Sequence, residues 1–124
     1  MSPGAELFLK GLRDMGYDPK PGPKESWVID YKIDVGTRAG TMIRMGFQKP
    51  QIETFPQNPP GGPHISPRIL PINTNANAHP HRVHASDEMG PDWEYWSRPF
   101  EHWAKDNRSV GAYMAHIRRL FTDL

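Results

Sequence analysis

The chain has 124 residues, a formal net charge of +1 and no cysteine. Those numbers bound it to one domain, 1–124, without disulfides, thiolate metal sites or a thiol nucleophile. So small a net charge leaves no basic footprint for nucleic acid, and no apolar run approaches the roughly 18 residues that span a bilayer.

Residues Met1 to Glu6 lack the basic and then apolar stretches of a signal peptide, so a cytoplasmic protein without membrane contact is expected. Ser2-Pro3 reads as an N-cap followed by proline at the first helical position. Phe8, Leu9, Leu12 and Met15 recur on one face, and Gly16 suits the left-handed residue after a last turn. The spacing predicts a helix over roughly residues 4–15, then loop through residues 17–25. Trp27, Ile29, Tyr31 and Ile33 alternate with polar residues, the pattern of a half-buried strand over 27–34. Gly36 and Gly40 bracket a hairpin loop, and Thr41 to Phe47 forms the second strand, with Ile43, Met45 and Phe47 on one face. A third short strand is expected near Gln51 to Phe55.

The middle of the chain carries most of the 14 prolines. Phe55 to Ile72 is too proline-dense for a helix or a central strand. Long, ordered, proline-stiffened loops are expected there. A disordered middle between folded ends is the alternative, and four tryptophans argue against it. Residues 91–103 carry Trp93, Tyr95, Trp96, Phe100 and Trp103, and read as a turn or short helix over the core. Ser109 then caps a closing helix whose Val110, Tyr113, Met114, Ile117, Leu120, Phe121 and Leu124 keep helical spacing. The sum is an α+β fold with an N-terminal helix, an antiparallel β-meander, a long Pro-rich loop and a C-terminal helix.

Chemistry-bearing residues gather between His79 and Asp87. His79, His81 and His84, with His64 upstream, offer neutral imidazoles that suit zinc, with Asp87 and Glu88 as outer partners. The spacing matches no strong metal motif, and a polar loop whose histidines cap turns or contact backbone is the reading preferred. No metal or other cofactor is therefore assigned. His84, Ser86 and Asp87 supply a base, a hydroxyl and a carboxylate, yet no Gly-X-Ser-X-Gly elbow is present. Gly61-Gly62 lacks the lysine of a phosphate loop. Asp30 and Asp34 read as a solvated strand face.

Phe55-Pro56-Gln57-Asn58-Pro59-Pro60 is similar to the Tyr-Pro-X-X-Pro-Pro segment that follows the sheet in ubiquitin-conjugating enzymes. His79-Pro80-His81 is similar to their His-Pro-Asn corner, and Pro91 to Phe100 resembles the bacterial members of that superfamily. The resemblance implies a ubiquitin-conjugating-like domain and a transferase role. A ubiquitin-like protein and its activating enzyme would be the partners. It also implies a catalytic cysteine after the corner, which this chain lacks. His81 stands where the family has asparagine, and an imidazole can also donate to an oxyanion. His84 is the best positional equivalent of the cysteine, followed by Ala85, Ser86 and Asp87. Three options stay open: an acyl-imidazole at His84, an ester at Ser86, or a natural cysteine replaced by Ala85 or Ser86. On the first hypothesis the chain takes part in conjugation, with Asp87 orienting an imidazole or the incoming amine. On the second it is a binding module without covalent chemistry. A zinc hydrolase using the same histidines is the third.

Overall fold

A computed structural model describes residues 1–70, 83–86, 88–97, 100, 103 and 107–122. In chain order the elements are α1 (Pro3–Asp14), β1 (Lys20–Gly22), β2 (Ser26–Lys32), β3 (Met42–Gln48), α2 (Lys49–Ile52), β4 (His64–Ser66), β5 (Val83–Ala85), β6 (Glu94–Trp96) and α3 (Val110–Thr122). The strands form one antiparallel sheet in the order β1-β2-β3-β4-β6-β5. The α+β class expected from the sequence is the observed one.

Both long helices form where the periodicity puts them. Ser2 Oγ accepts from Ala5 N at 3.2 Å, and Gly16, at φ +96°, closes α1 with its N–H on the Arg13 carbonyl at 2.9 Å. Ser109 Oγ accepts from Ala112 N at 3.0 Å and starts α3. The β2–β3 hairpin sets Trp27, Ile29 and Tyr31 opposite Phe47, Met45 and Ile43. Phe8 of α1 enters this surface edge-on to Phe47, Phe55 and Tyr113, with ring centroids 5.1, 5.4 and 5.9 Å away. Tyr31 and Trp96 meet Phe121 of α3 at 5.7 and 5.0 Å. The core therefore lies on one face of the sheet, between it and α1 and α3.

Helix α1 sits very close to the backbone after α2. A Cβ on Gly4 would lie 2.3 Å from the Glu53 carbonyl oxygen and 2.7 Å from that of Phe55. Backbone oxygens cannot step aside as a side-chain tip can. Alanine normally favours a helix over glycine, but here Gly4→Ala is expected to destabilise by about 1–3 kcal/mol. Urea unfolding reads this directly, and a variant as stable as the parent would contradict the close approach.

Four sequence expectations change. The strand expected near Gln51–Phe55 is the short helix α2, because Pro50 fits a first helical turn but supplies no N–H to a ladder. Gln51 Oε1 reaches back to Gln48 N at 3.0 Å and fixes its start. The loop over 17–25 contains β1, a sheet edge, where Pro21 is tolerated opposite Trp27. The Pro-rich stretch contains β4, a central strand, because Pro63 and Pro67 flank it rather than interrupt it. The aromatic segment contributes the strand β6 in addition to the expected turn, which stands at residues 91–92.

The Pro-rich loop ahead of β4 is held by side chains that reach it from the core. Trp103 Nε1 donates to the Pro56 carbonyl at 2.9 Å, and the Tyr113 hydroxyl donates to the Gly61 carbonyl at 2.7 Å. Burial raises the pKa of that hydroxyl, so it stays a donor. Beyond β4, Glu94 is fully enclosed on the core face opposite Ile65. Its Oε1 accepts from Ile69 N at 3.1 Å, Leu70 N at 3.2 Å and Trp96 Nε1 at 3.0 Å. One carboxyl group thus pins the segment that leaves β4.

Candidate active site

The other face of the sheet carries the polar row. Register alone aligns it: Val28 faces Gly46, Gly46 faces His64, His64 faces Tyr95, and Tyr95 faces His84. Side chains directly opposite in a ladder share a face. The His64 and His84 rings accordingly flank Tyr95, with centroids 4.8 and 6.1 Å from it. Residues 88–93 fold back over the row. Gly90 N bonds the Ser86 carbonyl at 2.9 Å, and a Cβ on Gly46 would lie 2.6 Å from Met89 Cε and 3.2 Å from Trp93. Glycine at 46 is what lets the fold-back lie flat on the sheet.

The fold-back delivers Ser86 to His64. Ser86 Oγ lies 2.7 Å from His64 Nδ1, and the two residues are only 3 % and 5 % exposed. Desolvation lowers the His64 pKa from its usual 6.5 to about 4, against an opposing pull from Glu88. The imidazole is therefore neutral at physiological pH and has one proton to place. If Ser86 donates to Nδ1, that proton is on Nε2. Nε2 is buried and has no hydrogen-bond partner among the described residues.

A cavity of about 250 Å³ adjoins the pair, lined by Gln48, Gln51, His64, Ala85, Ser86, Glu88 and Tyr95. Gln48 Nε2 donates to Glu88 Oε2, and Gln51 Nε2 donates to the Gly62 carbonyl at 3.3 Å. The cavity thus holds a hydroxyl in contact with a neutral imidazole, two side-chain amides and one carboxylate. That set can activate a hydroxyl for attack on an acyl carbon.

Of the residues singled out in the sequence, Ser86 is at the centre of this arrangement. Ala85 lines the cavity from an exposed position at the end of β5. His84 is half-buried and separated from the Ser86–His64 pair by the Tyr95 ring. His79, His81 and Asp87 lie outside the described residues. Among the described residues no three histidine, aspartate or glutamate side chains converge on a possible metal position. His64, singled out in the sequence only as an upstream member of the histidine cluster, is here the partner of Ser86, 22 residues away. Its signal was small: polar His64 and Ser66 alternate around Ile65 between two prolines. No protein-family model, no curated protein and no solved structure matches the chain.

Proposed function

We propose that the chain is a ubiquitin-conjugating-enzyme-like protein of a bacterial ubiquitin-like conjugation pathway. It handles a ubiquitin-like protein passed from an activating enzyme. The observation that carries this reading is the Ser86–His64 contact of 2.7 Å beside an open cavity. It lies just beyond β5, the stretch where the resemblance places the family's nucleophile. The ordered Pro-rich segment from Phe55 and the aromatic segment over the core support it as well. The slender C-terminus of the ubiquitin-like protein would enter along Gln48, Gln51 and Glu88.

Native mass spectrometry of the chain with the ubiquitin-like protein and activating enzyme of its source organism, plus ATP, tests the proposal. A complex containing this chain is expected. Glu88→Arg, which fills the cavity and reverses its charge, should weaken that complex at least about tenfold, or about 1.4 kcal/mol. If no ubiquitin-like protein or activating enzyme binds, the reading fails.

The 3 % exposure of Ser86 favours one further reading. In it the chain is a binding module that holds the same partners without covalent chemistry. Denaturing the complex separates the two, because only a covalent adduct survives.

A further inference from the structure

We propose that Ser86 is an acyl-accepting nucleophile and His64 its general base, so that the chain carries its cargo as an oxyester. The identity of the donor rests on the conjugating-type reading above; the nucleophile and base do not.

The geometry meets each requirement in turn. A serine hydroxyl attacks only when a base within hydrogen-bond reach takes its proton. His64 Nδ1 stands at 2.7 Å. The imidazole must be held in one orientation. Its ring packs against Tyr95 at 4.8 Å, and Met89 and Trp93 lie over its strand neighbour Gly46. The backbone carrying the hydroxyl must be fixed, and the Gly90 N–H bond to the Ser86 carbonyl does that. The transient imidazolium needs a counter-charge, and Glu88 acts on His64 in that sense. Space for the acyl group adjoins the hydroxyl in the 250 Å³ cavity. No thiol is present to compete.

The donor class is a thioester, as an activating enzyme would present. Ser86 Oγ attacks the carbonyl carbon while its proton moves to His64 Nδ1. The C–O bond forms, the C–S bond breaks, and the thiolate leaves with the proton from the imidazolium. Thioester and hydroxyl become ester and thiol, with no oxidant or reductant. An amine acceptor or water then takes the acyl group and returns the proton to Ser86 Oγ.

p-Nitrophenyl acetate probes the pair without any protein partner. One acetyl group per chain is expected on the peptide containing Ser86, read by intact mass and digestion under denaturing conditions. Ser86→Ala should abolish it. His64→Gln should slow p-nitrophenolate release at least about 100-fold, the range for loss of a general base. Ser86→Cys should restore acetylation as a hydroxylamine-labile thioester, which guards against a variant that merely misfolds. Acetylation on another residue, or an unchanged rate in Ser86→Ala, would reduce the pair to a structural hydrogen bond and overturn the proposal. Acetylation of Ser86 without any complex with a ubiquitin-like protein would uphold the nucleophile and discard the donor. A complex without acetylation would do the reverse.

Discussion

Glu94→Ala is expected to be strongly destabilising, costing on the order of 4 kcal/mol. The carboxyl group is fully buried and its Oε1 is the acceptor for Ile69 N, Leu70 N and Trp96 Nε1. Alanine leaves all three donors without an acceptor. Each enclosed donor stranded this way costs about 1–3 kcal/mol, and the deeply buried indole should be the worst. The truncation also opens a void beside Ile65. Glu94→Gln keeps one acceptor oxygen of the same shape and should lose less than half as much. Denaturant midpoints of the two variants, with hydrogen exchange at Ile69 and Leu70, measure the difference. Equal losses for alanine and glutamine would mean that packing, not hydrogen bonding, is what Glu94 supplies.

The second large effect is a loss of stability in mild acid that traces to one residue. His64 has its pKa lowered to about 4 in the folded chain by desolvation, and returns to about 6.5 on unfolding. Below 6.5 the unfolded chain binds a proton that the folded chain refuses. Stability is therefore complete above pH 6.5 and falls as pH drops toward 4, where the folded form also takes up the proton. Among the described residues, the charged and titratable groups facing the ring are Glu88, Tyr95 and, beyond Tyr95, His84, and of these Glu88 opposes the shift. After discounting for solvent screening, the loss is expected to be about 2 kcal/mol. Urea curves at pH 7 and pH 4 for the parent and His64→Gln check it. The glutamine variant, which keeps a polar contact to Ser86, should lack this component. Parallel pH dependence in both proteins would show that other groups carry the acid sensitivity.

These two residues also mark the limit of what the sequence discloses. Helix α1, helix α3 and the β2–β3 hairpin are legible because Phe8, Leu9 and Leu12, the Val110–Phe121 stripe, and Trp27 to Ile33 each sustain a period long enough to recognise. Strands β4, β5 and β6 have three residues each, too few for a period to declare itself. They are strands because partners far along the chain pair with them. The site follows the same division. Ser86 stands out as a hydroxyl in a segment already suspect for chemistry. His64 does not, because its meeting with Ser86 depends on the order β4-β6-β5, which nothing local to Pro63–Pro67 encodes. Likewise no sequence pattern singles out Glu94, and it is the register that sets it opposite Ile65 that buries it.

The alternation of side chains along β4, β5 and β6 has a consequence for how such a protein can diverge. Ile65, Val83 and Trp96 serve the helices, while His64, His84 and Tyr95 belong to the opposite face. Selection can therefore act on the two sets almost independently. The polar row can exchange one set of polar side chains for another, or lose them, while the apolar set keeps the fold intact. An ancestor and a descendant on this scaffold could then differ in everything they do and still be superimposable strand for strand.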